Sequence, residues 1–180
     1  MIIGLTGFAQ SGKDTVAKIL IEKYDFQRVA FADPIRELLY EMNPKITLGY
    51  DIHSTLQLLV DQEGWDTAKQ NPEVRSMLQN LGVGARKVFS ENFWVQQAMR
   101  RVHFEENWVI TDVRFENEAK AIKKYDNSQI WRIKRNGVGP VNGHVSEREL
   151  DGYPVDQIFM NSGSIEDLEL LIKTRMMAHV

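Results

Sequence analysis

Gly7-Phe8-Ala9-Gln10-Ser11-Gly12-Lys13-Asp14-Thr15 follows a short apolar run, Met1–Thr6, and leads into a helical-looking segment, Thr15–Lys23. Strand, glycine loop and helix in that order form the setting of a phosphate-binding loop. Gly7 and Gly12 allow backbone conformations that a side chain would forbid. The N–H groups of Gln10, Ser11, Gly12 and their neighbours can then converge on a phosphate, and the next helix adds the positive end of its dipole. Lys13 brings a mobile charge for the outer phosphates of a nucleoside triphosphate. Asp14 stands where Ser or Thr normally ligates magnesium, with Thr15 one place late. Asp14 can meet the ion directly or through a water, because magnesium prefers oxygen ligands and keeps several waters. A purely structural glycine turn is the competing reading; both flanks favour nucleotide binding.

Working outward, 180 residues suffice for one domain with a real core. Hydrophobic residues make up 43% and charged residues 26%, as in ordinary globular proteins. A formal net charge of -3 gives no reason to expect nucleic-acid polymers or a polybasic membrane contact. With no cysteine, disulfides and thiolate metal sites are excluded. No stretch approaches a membrane span and no basic leader precedes the first strand, so a cytoplasmic protein is expected.

After the loop, Val16, Ile19 and Leu20 share one helical face. A second strand is expected at Gln27–Ala32, then a helix at Pro34–Met42 with Asp33 as N-cap. Asn43–Arg101 shows no convincing strand. Helical patches are expected there at Ser54–Gln62, Asn71–Leu81 and Phe93–His103, separated by turns such as Leu81-Gly82-Val83-Gly84. Strands follow at Trp108–Asp112, Gln129–Lys134 and Gln157–Met160. Helices are expected at Asn117–Lys124, Ser146–Leu150 and, capped by Ser164, Ile165–Met177. Five strands alternating with helices predict an α/β fold with a parallel sheet. The helical insertion, at about 43–105, is expected as a flap near the strands' C-terminal edge, within a single domain over 1–180. A triphosphate loop with such a cap suits a small-molecule kinase.

Asp112 ends an apolar strand on the same edge as the loop, where a second carboxylate would organise magnesium; a turn or N-cap aspartate is the alternative. Arg114 can clamp a phosphate in two-point fashion or form a surface ion pair. Asp33 and Arg36 lie beyond the second strand, suited to an acceptor or to capping. Arg75 and Arg86 bracket MLQNLGVG and suit phosphate recognition, although surface arginines are common. Phe93 and Trp94 suit either stacking on a base or core packing. Arg132 and Arg135 flank a Gly/Pro-rich loop, Asn136–Gly143, that reads as a lid of about 135–147 bringing cations over a transferring phosphate. His144, Ser146 and Glu147 make no metal site, and Ser146 reads as an N-cap. Asn161 is placed to touch a nucleobase or simply to form an Asn-Ser-Gly turn.

GFAQSGKDT (7–15), FADPIRE (31–37), MLQNLGVGARKVF (77–89) with ENFWV (91–95), WVITDVRFENEA (108–119), RIKRN (132–136), HVSERELD (144–151) and IFMNSGSIEDL (158–168) run in order over almost the whole chain. Together they resemble the phage-type deoxynucleoside monophosphate kinases. The order GKD, DVR, SE-x-x-LD and N-x-G also resembles animal phosphomevalonate kinase, a relative with another acceptor. What the resemblance implies is a P-loop fold of the nucleoside monophosphate kinase type, with ATP and magnesium as donor and a deoxynucleoside diphosphate as product. It implies that Lys13, Asp112, Arg114 and the lid arginines hold phosphates, and that Asp33, Arg36 and Arg75 or Arg86 belong to the acceptor side. It implies a phage source, hence a host cytoplasm; related kinases can be homodimers. A kinase of phosphomevalonate or another small acceptor, and a nucleotide-binding regulator without turnover, are the alternatives.

Overall fold

In the computed structural model, residues 1–49, 52–103, 105–139, 150 and 152–178 are described. The chain divides into two compact units, Met1–Phe31 with Met99–Val180, and Ala32–Ala98.

The first unit is built on strands β1 (Ile2–Thr6), β2 (Phe26–Val29), β5 (Asn107–Ile110), β6 (Ser128–Lys134) and β7 (Gln157–Met160). They form one sheet in the order β2-β5-β1-β6-β7, with every neighbouring pair parallel. β1, IIGLT, is buried along its whole length, as an apolar run covered on both faces should be. The chain winds from central β1 to β2, returns to β5, and then crosses to β6 and β7. The order therefore reverses around β1, and crevices at the C-terminal strand ends near such a reversal are where open α/β sheets bind ligands.

Helix α1 (Lys13–Tyr24) packs Val16, Ala17, Ile19 and Leu20 into a core with Leu5, Trp131, Ile133, Leu168 and Ile172. The last two belong to the closing helix α7 (Ile165–Met177). Helix α6 (Glu116–Ile122) buries Ala119 and Ile122. The β7 and α7 boundaries coincide with those read from the sequence, and Ser164 caps α7 by accepting from Asp167 N. α1 starts at Lys13, two residues earlier than expected, so the lysine lies inside the first helical turn. β2 ends at Val29, and β5 at Ile110; Asp112 lies past the strand rather than at its end.

The second unit departs more from expectation. Helix α2 spans Asp33–Met42, and its N-cap is Ala32, with no side-chain cap. Asp33 is thus the first helical residue and not the cap; its carboxylate pairs with Arg36 at 3.2 Å and favours the positive end of the helix. The region expected to lack strands contains an antiparallel pair, β3 (Lys45–Gly49) and β4 (Ile52–Thr55). Its support is tertiary. Ile46 is buried in a core with Leu39, Leu56 and Val74. Thr47 N donates to Glu73 Oε2 at 2.9 Å, and Asn71 Nδ2 donates to Thr47 O at 2.7 Å.

Helix α3 (Leu56–Ala68) is interrupted at Gly64 (φ 77°). Helix α4 (Pro72–Val88) runs straight through Gly82 and Gly84, where a turn was expected. Helical glycine costs about 1 kcal/mol relative to alanine, and at Gly82 an alanine would fit. A Cβ there would sit 3.5 Å from Ile35 Cδ1, and the Gly82 carbonyl accepts from Trp94 Nε1 at 2.9 Å. Trp94 belongs to the short helix α5 (Phe93–Met99), which ends four residues before the expected His103.

Candidate active site

The loop after β1 is shaped by three positive φ angles: Gly7 at 140°, Gln10 at 64° and Gly12 at 102°. Gly7 is doubly constrained, since a Cβ would come within 2.3 Å of Ile133 O on the neighbouring strand. Gly12 is constrained by its φ and by a side chain: a Cβ there would run into Asn161 Nδ2. Ser11 N donates to Phe8 O at 3.2 Å, which closes the turn. Lys13 Nζ arches back and donates to the carbonyls of Gly7 and Phe8, both at 2.8 Å. The ammonium therefore sits over the loop's own concavity. The Ser11 hydroxyl oxygen is buried without a hydrogen-bond partner, an uncommon state for a buried polar atom in a finished core.

Opposite the loop, the chain after β5 is fixed almost residue by residue. Thr111 N donates to Val29 O at 3.1 Å, and Val113 N donates to Leu5 O at 3.1 Å. Between them, Asp112 Oδ1 accepts from Phe31 N at 2.7 Å. Beyond them, Glu118 Oε2 accepts from Arg114 N at 2.7 Å and Phe115 N at 3.0 Å. Glu118 is only 3% exposed. It is a residue the sequence reading missed; an acid four positions after Arg114 in the first turn of α6 was the available signal.

Loop, post-β5 segment and β6 enclose a cleft of about 320 Å³ whose charged lining is Lys13, Asp112, Arg114, Arg132 and Lys134. Four cations against one carboxylate favour a polyanion, and focusing in a concave site strengthens the field. Lys134 was not singled out from the sequence, because a lysine at a strand end has no local mark. The Arg132 guanidinium also donates to Leu150 O, and to Tyr153 O at 3.1 Å. Arg132 thereby ties β6 to the segment before β7, a structural task besides its place in the cleft.

The remaining expectations distribute unevenly. Asp14 is exposed in the first turn of α1 and Thr15 half-buried, neither of them lining the cleft. Arg135 is exposed just past β6, also outside the cleft lining. Residues 140–147 of the expected lid, with His144, Ser146 and Glu147, and the helix expected at Ser146–Leu150 lie outside the described residues except Leu150. Asn161 lies behind the loop, its Nδ2 donating to Ser11 O at 2.9 Å. In the helical unit Asp33 and Arg36 pair with each other, Arg75 is exposed on α4, and Arg86 is half-buried on the same helix. Trp94 is 3% exposed and its indole donates to Gly82 O, which is the core packing that its sequence left open beside base stacking. Phe93 packs edge-on against it, with ring centroids 4.9 Å apart.

The residues present fit a nucleoside triphosphate with magnesium. A glycine cradle that a Cβ would fill, an orphaned buried hydroxyl and an arched lysine suit phosphate oxygens. Asp14 and Asp112 are hard oxygen donors of the type magnesium takes while keeping its waters. Among the described residues there is no cluster of three His, Asp or Glu for a dedicated protein cage.

Sheet order, loop and cleft define a P-loop kinase fold. The family model for deoxynucleotide monophosphate kinase matches residues 57–172, beginning beyond the glycine loop. A protein of Acanthamoeba polyphaga mimivirus, provisionally named deoxynucleotide monophosphate kinase, is 30% identical over 93% of this chain and 91% of its own. The chain belongs to the deoxynucleotide monophosphate kinase family. Among solved structures, shikimate kinase from Bacteroides thetaiotaomicron overlaps 98% of each chain at 13% identity and a TM-score of 0.44. TT1252 from Thermus thermophilus covers 100% of this chain and 98% of its own at 16% identity and a TM-score of 0.44. At such scores the strand order, not the superposition, defines the fold. Among the described residues no helix is long and apolar enough to cross a membrane.

Proposed function

We propose that the protein transfers the γ-phosphoryl group of ATP to a deoxynucleoside monophosphate, with magnesium, giving a deoxynucleoside diphosphate and ADP. The observation that carries this reading is the cleft that Lys13, Asp112 and Arg114 line together with the glycine loop. Family membership supports the choice of acceptor class.

ATP supplies the phosphoryl group, and magnesium screens the charge that spreads over its oxygens during transfer. An acceptor phosphate oxygen forms the new P–O bond while the bond from γ-phosphorus to the β,γ-bridging oxygen breaks, its electron pair leaving with ADP. Because that acceptor oxygen is already nucleophilic at neutral pH, the chain needs no strong general base. What it contributes is alignment and charge. Lys13 releases the loop carbonyls to meet the outer phosphates, and the loop N–H groups hold the others. Arg114, in the cleft lining, would neutralise transferring charge, with Arg132 in the same lining and Arg135 just past β6 adding to it. Asp112, and Asp14 directly or through water, would hold the metal. Asp33 and Arg36, with Arg75 or Arg86, orient the acceptor.

ATP consumption with magnesium, measured against the four deoxynucleoside monophosphates, phosphomevalonate and water, tests this. Turnover with one or more deoxynucleotides is expected. Turnover with phosphomevalonate alone would keep the fold and replace the acceptor. ATP binding with no turnover on any acceptor would leave a nucleotide-binding regulator.

A further inference from the structure

Asn161 comes from the end of β7, yet it meets the loop after β1 across 150 residues of sequence. Its position is set by its own backbone: Asn161 N donates to Lys134 O at 2.7 Å, extending the β6–β7 pairing by one step. From there Nδ2 donates to Ser11 O at 2.9 Å. The same amide nitrogen occupies the space that a Cβ on Gly12 would need, at 2.2 Å. The loop and Asn161 are thus interlocked: the carbonyl before Gly12 is held, and Gly12 alone leaves room for the holder. Ser11, the residue held, is 1% exposed and keeps its hydroxyl without a partner.

We infer that Asn161 is a positioning residue that fixes the phosphate-binding loop through the Ser11 carbonyl, and not a contact to the nucleobase. Orienting the Ser11 carbonyl toward Asn161 turns the following peptide N–H, that of Gly12, the opposite way, because the two groups of one planar peptide are antiparallel. Asn161 therefore sets the direction of a loop N–H in advance of any ligand. Such preorganised donors bind anions without a reorganisation cost at the moment of binding. The segment after Asn161 is independently stiffened: Ser164 N donates to Asp167 Oδ2 at 2.9 Å, and Asp167 N donates to Ser164 Oγ at 3.2 Å. The anchor is thus joined directly to a rigid helix start.

This inference rests on the reading of the loop as a triphosphate site, but not on the acceptor. Calorimetric binding of ATP, GTP and inorganic tripolyphosphate, each with magnesium, is compared for the full chain and for Asn161→Ala. A loop brace predicts the same loss for all three, about 3- to 10-fold, which is the scale of one net hydrogen bond. Asn161→Leu keeps the branched outline without the amide and is expected to show the same uniform loss, which covers the case in which the alanine variant folds poorly. Hydrogen exchange without ligand adds a second readout: faster exchange at Ser11 and Gly12 in the variants, with α1 and α7 unchanged. Loss confined to ATP, with tripolyphosphate unaffected, would overturn the brace in favour of a base contact. Equal binding by all variants would overturn it as well. If the unsubstituted chain bound none of the three, the triphosphate reading itself would fall, and that outcome is separate from the other two.

Discussion

The unit carrying the glycine loop and the helical unit place their charged residues in opposite ways. In the first, backbone hydrogen bonds fix the candidates: Asp112 by Phe31 N and the Ser11 carbonyl by Asn161, both remote in sequence, and the Arg114 backbone by Glu118, four residues on. In the second, the candidate cations sit on helix surfaces. Arg75 is exposed on α4, and Arg36 pairs with Asp33 one turn away. On the proposed function, the first arrangement suits a polyphosphate met by backbone direction that is fixed beforehand, and the second suits an acceptor met by long side chains that can settle on it.

Substitutions in the first unit should then have the largest consequences for catalysis. Removing the arched ammonium with Lys13→Ala is expected to lower kcat by about 10²–10³-fold, the scale of one preorganised charge at a transferring group. A steady-state assay with a saturating deoxynucleotide checks this; a loss below threefold would show that Lys13 belongs to the loop's structure alone. Gly12→Ala should follow. It places a Cβ against Asn161 Nδ2 at φ 102°, which costs about 1–3 kcal/mol of stability. Thermal unfolding should fall with nucleotide affinity, and Gly12→Ala with Asn161→Ala together should lose less than the sum of the two. Asp112→Asn separates two roles. An asparagine oxygen still accepts from Phe31 N, so stability should hold while magnesium-dependent turnover drops about 10-fold or more. Asp112→Ala leaves the N–H of buried Phe31 unpaired, and should also lose about 1–3 kcal/mol.

The same contrast explains what could be read from the chain. β1, the loop, β7 and α7 carry their boundaries locally, in the apolar run to Thr6, the glycines, and Asn161-Ser162-Gly163 before the Ser164 cap. The hairpin β3–β4 does not, since it depends on Ile46 reaching a core and on Glu73 and Asn71 reaching Thr47. Two glycines in α4 look like a turn, yet the helix runs through both, with the Gly82 carbonyl held by Trp94. For the site, residue types at motif positions were legible: Lys13, Asp112, Arg114 and Arg132 do line one cleft. What holds them was not. Glu118 and Asn161 act through backbone groups, and a backbone hydrogen bond leaves no mark on the residue that receives it.

Trp94 gives the smallest expected effect on catalysis and the sharpest test of the comparison. As a surface platform for a base it would belong with the acceptor residues, and as an anchor it belongs with the core. Trp94→Phe keeps an aromatic face able to stack but removes the donor to Gly82 O and some volume. The core assignment predicts a stability loss of about 1–3 kcal/mol, from the broken bond and the cavity together. It also predicts a KM for the deoxynucleotide unchanged within about twofold, since a 3% exposed indole offers no face to a ligand. A raised KM with unchanged thermal stability would reverse this, putting Trp94 on the acceptor. Stability measured beside KM on one variant therefore separates a packed aromatic from the exposed and half-buried arginines of α4 as the means by which the proposed acceptor would be held.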